Sequence, residues 1–199
     1  MVPDEGDRPA SRNRPRTGAK PLLVNVFFLL VPFAISACAT LAPTDIEPDF
    51  RVAGRIGAVA GTAGASGDFI WRQYPSGFDV QFWGPLGQGR TQVLVEGDTL
   101  SVRTARGERV VDAEARDWIR RELYLDLPVR ALASWINGHP APEWPAGGLG
   151  EDAFSQLGWR IEIAAWDEWD GRRKPRKLIA SRADYRVTVI CREWMFSDR

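Results

Sequence analysis

The chain has 199 residues, with 26 lysines plus arginines balancing 26 aspartates plus glutamates. Apolar residues make up 44% and aromatics 11%, with nine tryptophans, two cysteines and one histidine. This length suits one domain with appendages, and the balanced charge argues against a general nucleic-acid binder, which needs a basic face. Two cysteines exclude a disulfide-dense scaffold, and one histidine leaves most histidine-based metal sites unbuildable.

In chain order, a basic, Pro- and Gly-rich opening (Arg12, Arg14, Arg16, Lys20) precedes the uncharged run Pro21 to Ala37. Seventeen residues are few for a membrane span, which needs about 20. A positive segment followed by a short apolar one reads as a secretory signal over residues 1–37, with an uncleaved anchor as the alternative. Its end, Ile35-Ser36-Ala37-Cys38, resembles the bacterial lipobox, in which small residues precede a cysteine whose thiol takes a diacylglyceryl group. Cys38 is therefore the expected lipidation site, and Ala39 after it favours the outer membrane. Residues 38–49, with two prolines and no period, read as an extended tether.

A single domain is expected over residues 50–196. Short β-type runs bounded by turn residues are predicted at Phe50 to Val59, Asp68 to Tyr74, Phe78 to Trp83, Thr91 to Glu96 and Thr99 to Thr104. The Gly/Ala-rich Ala60 to Gly67 reads as a flexible hairpin tip; it lacks the lysine of a phosphate loop. At Asp112 the period changes to helical, with Ala115, Trp118, Ile119, Glu122 and Leu123 on one face and Asp112 as cap. A second helix follows Pro128, with Leu132, Trp135 and Ile136 on one face and a stop at Asn137-Gly138. This helical insert covers about 112–138, and Pro140, Pro142 and Pro145 keep the next segment irregular. Strands return at Trp159 to Ala165, Lys177 to Arg182 and Tyr185 to Arg192.

The fold class is mainly β (α+β): an antiparallel meander closed or nearly closed on itself, with the two helices as the lid over its concave face if the sheet curls without closing. The aromatic excess has two readings, an ordinary core or the lining of an apolar cavity. For the second, Phe69, Trp71, Trp83, Trp118, Trp135 and Trp159 are the candidate lining residues. Catalysis has no support. His139 lies in a turn without triad partners, and Cys191 reads as a small buried hydrophobe. Asp167, Glu168 and Asp170 look like a solvated hairpin loop, with the basic run Arg172 to Lys177 after it. No metal-ligand spacing or nucleotide motif appears.

Several pieces occur together in order: the lipobox, Phe50-Arg51-Val52-Ala53-Gly54-Arg55-Ile56-Gly57, Phe69-Ile70-Trp71-Arg72-Gln73, Gly84-Pro85-Leu86-Gly87, Asp112-Ala113-Glu114, Leu132 with Trp135-Ile136-Asn137-Gly138-His139-Pro140, and Gly158-Trp159-Arg160-Ile161. Over 38–196 this resembles the LolB family of outer-membrane lipoprotein receptors. The resemblance implies an incomplete, half-open antiparallel β-barrel with helices closing its opening, and no enzyme activity, metal or cofactor. It further implies a monomer, lipid-anchored in the outer membrane and facing the periplasm, that receives lipoproteins from the carrier LolA and inserts them among outer-membrane phospholipids without ATP. In the family an exposed leucine in the turn matching Gly84 to Gly87 serves delivery, and Leu86 matches it. A non-transport structural or assembly lipoprotein is the alternative.

Five basic and three acidic residues precede Cys38, so the remaining 162 carry 21 basic and 23 acidic residues. The exported part is slightly acidic.

Overall fold

The computed structural model describes residues 46–84, 89–123 and 127–198. The expected signal peptide, Cys38, most of the tether and Leu86 lie outside the described residues.

Six strands come first: β1 (Phe50–Ala60), β2 (Ala63–Tyr74), β3 (Gly77–Trp83), β4 (Thr91–Glu96), β5 (Thr99–Arg103) and β6 (Arg109–Val111). Helix α1 (Asp112–Leu123), a single 3-10 turn (Val129–Ala131) and the short α2 (Leu132–Trp135) follow. Five strands complete the chain: β7 (Ala146–Gly148), β8 (Ala153–Gln156), β9 (Trp159–Trp169), β10 (Arg172–Arg182) and β11 (Tyr185–Phe196). All lie in one antiparallel sheet ordered β6-β5-β4-β3-β2-β1-β11-β10-β9-β8-β7.

That order explains the placement of the helices. Antiparallel neighbours need only tight turns, so each half of the chain lays down its strands consecutively. The first and last strands then pair in mid-sheet, from Phe50 opposite Phe196 to Ala60 opposite Tyr185. The free edges are β6 and β7, and the segment between them carries both helices. It must pass from one edge of the sheet to the other. Every strand pairing and both apolar clusters among the described residues come from 50–196, so this part holds its own fold.

Alternation selects the face that the helices cover. In β9, Trp159, Ile161 and Ile163 are buried while Arg160, Glu162 and Ala164 are exposed. One apolar cluster gathers Phe69, Trp71, Val80, Val102 and Trp194 with Ala115 and Ile119 of α1. The other gathers Trp159, Ile161, Leu178 and Val187 with Ala131 and Trp135 of the insert. Ile56, Leu132 and Val189 pack against both.

Several expected elements differ. Ala63–Gly67 is strand rather than a loose tip, because it continues the β1 ladder down to Ala60 opposite Ala63. The second of its two glycines has a function: a Cβ on Gly67 would strike the Trp83 carbonyl oxygen, where β2 and the end of β3 approach closely. The charged segment 167–177 is likewise largely strand: Asp170-Gly171 form the expected hairpin turn, but Asp167 and Glu168 belong to β9 and Arg172 to Lys177 to β10. Glu168 stands opposite Arg173 and Asp167 opposite Lys174, so acids and bases pair across β9 and β10. Pro175 is tolerated in β10 because it sits at a register shift and β11 pairs with β10 only from Lys177 onward. The second helix is only α2 plus the 3-10 turn, and the Pro-rich segment is followed by two strands, β7 and β8, that the sequence reading lacked.

Candidate functional site

Between the sheet and the insert lies an apolar cleft of about 290 Å³. Its floor is the alternating inner face of neighbouring strands: Ile56 and Ala58 of β1, Trp71 of β2, Phe78, Val80 and Phe82 of β3, Val93 of β4 and Val187 of β11. Its roof is Trp118 and Ile119 of α1 with Leu127, Val129 and Leu132. The roof side chains follow from helix geometry, since Ala115, Trp118, Ile119 and Glu122 share one face at three- and four-residue spacing. Trp71 stacks on Phe78 at 4.2 Å between ring centroids, which stiffens the floor. Among the described residues Glu122 is the one charged residue of the lining.

Named polar contacts fasten the roof. At the start of α1, Asp112 has φ 46° and its carboxylate accepts from the Leu100 N–H at 3.1 Å, tying the helix to β5. This fixes the helix start from a neighbouring strand, a role different from the expected cap. The Arg130 guanidinium donates to the carbonyl oxygens of Gly97 and Asp98 at 2.9 and 2.6 Å, holding the 3-10 turn to the β4–β5 turn. After α2, Asn137 donates to the Ala133 carbonyl and accepts from Lys174 Nζ at 2.7 Å. Gly138 takes the expected left-handed conformation at φ 86°.

Lys174 also stands 5.6 Å from the Trp194 ring and 5.9 Å from that of Phe196. Burial, and then the neighbouring Arg172 charge, push its pKa down.

Three of the six aromatic candidates line the cleft: Trp71, Trp83 and Trp118. The other three do not. Phe69 is buried in the first cluster, and Trp135 and Trp159 pack together in the second at 6.4 Å. Strand and helix faces account for the difference. Trp135 is turned toward β8, where its indole N–H donates to Gln156, and Trp159 lies on β9, which β10 separates from the floor strand β11. Residue type also hid the aliphatic lining, although Ile56 and Ala58 continue the alternation of Val52 and Gly54 on one face of β1.

The groups set aside for chemistry remain apart. Cys191 is buried, and its thiol is pushed up to about 12 chiefly by that burial. His139 is exposed. Among the described residues no three histidine, cysteine, aspartate or glutamate side chains are grouped to hold a metal, and no helix is long and apolar enough to cross a membrane.

Residues 48–194 match the family model described as outer membrane lipoprotein LolB. The chain belongs to the LolB family. It is 30% identical over 152 residues to the outer-membrane lipoprotein LolB of Stutzerimonas stutzeri, covering 73% of each chain. It is 32% identical over 154 residues to that of Chromohalobacter salexigens, covering 73% of this chain and 70% of the relative. A LolA superfamily protein from Nitrosomonas europaea superimposes with a TM-score of 0.47 at 10% identity, over 78% of this chain and 88% of that one. As a LolB-family member the chain is an outer-membrane lipoprotein of a Gram-negative cell and a factor in lipoprotein localisation.

Proposed function

We propose that the chain is the outer-membrane receptor that accepts lipoproteins from the periplasmic carrier LolA, holds their acyl chains in the cleft, and inserts them into the outer membrane without ATP. The observation that carries this reading is the apolar cleft itself, walled by Trp71, Trp83, Trp118 and aliphatic side chains. Burial of an acyl chain gains about 0.8 kcal/mol per CH₂, so ten sequestered methylenes are worth roughly 8 kcal/mol. A cargo with such chains needs a container to cross water. Handover requires only that each successive site bind better than the last, with the bilayer best of all. The cleft favours this reading over an assembly factor with a wholly packed core.

Cys38 is the proposed lipid anchor. Leu86, in the glycine-flanked segment of the sequence between β3 and β4, is the proposed membrane-contact residue, where one buried leucine contributes about 1.5–3 kcal/mol. That suits brief contact rather than anchoring.

The test mixes the 46–199 domain with LolA carrying a labelled lipoprotein, without nucleotide, and follows the label. Transfer to the domain is expected, and label that stays on LolA overturns the reading. With Leu86→Glu, acceptance is expected to persist while release into vesicles stops.

A further inference from the structure

The cleft is apolar, but charge stands beside it: Arg90 lies between Gly89 and Thr91, both of which line it. Trp83, which lines it, ends β3, and Arg90 immediately precedes β4. The Arg90 guanidinium lies 5.3 Å from the Trp83 ring centroid. Arg90 is exposed, and among the described residues no carboxylate forms an ion pair with it. Glu122 lines the same cleft from α1.

A guanidinium held over an indole face by cation–π attraction is kept near the ring, and without a carboxylate partner its N–H donors remain available for bidentate contact with phosphate. An apolar cleft with such a cation beside it suits an amphiphile whose phosphate sits next to its acyl chains. The diacylglyceryl group of a lipoprotein carries no charge at that place; a glycerophospholipid does. We infer that the cleft also takes a membrane glycerophospholipid, with an acyl chain inside and the phosphate on Arg90. Glu122 adds an acceptor for an ammonium, so phosphatidylethanolamine finds partners for both of its headgroup charges. The inference rests on the acyl-binding reading of the cleft. Its consequence is that membrane lipid covers the apolar lining between cargoes, and that arriving cargo displaces it.

The experiment compares two probes with identical pyrene-labelled acyl chains, phosphatidylethanolamine and the headless diacylglycerol, binding to the 46–199 domain. Affinity for phosphatidylethanolamine is expected to be about tenfold higher. Arg90→Gln should erase that preference and leave diacylglycerol binding unchanged, while Arg90→Lys keeps the charge, loses the fork and retains part of it. Matching thermal melts show that these exposed-site variants fold. Equal binding of the two probes to the unaltered domain, or an undiminished preference in Arg90→Gln, overturns the phospholipid assignment and leaves the acyl cleft standing. Failure of both probes to bind overturns the cleft reading as well. Displacement of the labelled lipid by glycerol 3-phosphate alone assigns Arg90 to a soluble phosphate ester and overturns the lipid assignment.

Discussion

The indole N–H of Trp135 donates to Oε1 of Gln156 over 2.8 Å, and both side chains are almost fully buried. The same oxygen accepts from the Ala141 N–H, and Nε2 donates to the carbonyls of Ala141 and Trp144, each at 2.8 Å. One amide thus satisfies α2 and the Pro-rich segment together, and joins both to β8. Buried polar groups of this kind cost most when only one side of the bonding is removed.

Gln156→Leu leaves the Trp135 and Ala141 donors buried without acceptors. The expected loss is about 2–4 kcal/mol, read as a lower urea midpoint. Amide exchange should accelerate first in residues 135–145, because that segment loses its attachment. Stability equal to that of the unaltered chain would refute the role.

Gly138 combines φ 86° with a packed environment: a Cβ there would lie 2.5 Å from Trp166 Cη2 and 3.1 Å from Pro175 Cγ. Gly138→Ala should cost about 2–4 kcal/mol, from left-handed strain plus overpacking. Gly107 has a similar φ of 83° but nothing within 4 Å of its missing Cβ. Gly107→Ala should therefore cost only the strain, about 1–2 kcal/mol, and thermal melts of the two variants separate the contributions.

Lys174 is held below its usual 10.5 by burial first and by Arg172 second. Between its folded pKa and 10.5 the unfolded chain binds the extra proton, so this group makes stability rise with pH in that window. Lys174→Met removes the contribution. Urea midpoints measured across the alkaline range should show the lysine protein gaining on the variant as pH climbs toward 10.5. A difference that does not change with pH would contradict the burial argument.

Ala58 lies on the cleft floor beside Val187, its partner across β1 and β11. Ala58→Phe fills part of the void with an apolar ring, so the usual overpacking cost of about 1–3 kcal/mol should be reduced or absent. Affinity for an acyl probe should fall at least about tenfold, equivalent to roughly 1.4 kcal/mol. Retained affinity in a folded Ala58→Phe domain would place the acyl chains elsewhere.

Local signals read well where chemistry and period coincide. The strands β3 and β4, the α1 face at Ala115, Trp118 and Ile119, and the left-handed stop at Gly138 were legible, because turn residues and a 3.6-residue period act within a few positions. Legibility failed where a partner strand overrides local preference. Ala63–Gly67 reads as loop by composition, yet becomes strand through its pairing with β1. Asp167 to Lys177 reads as a charged loop, yet its opposite charges face each other only once β9 and β10 are in register. Bulky aromatics suggested a cavity, but type could not divide Trp71, Trp83 and Trp118 from Phe69, Trp135 and Trp159.

By itself the sequence predicted one β-rich domain with a helical insert behind an expected signal segment, and its motifs resemble one family. Those are properties of short windows and of residue order. The tertiary structure alone decided that β1 and β11 meet in mid-sheet, leaving β6 and β7 as edges that the insert must bridge. It also decided which side chains face the space between. A cleft is a relation among surfaces far apart along the chain, set by strand register and crossing, and no local pattern encodes it.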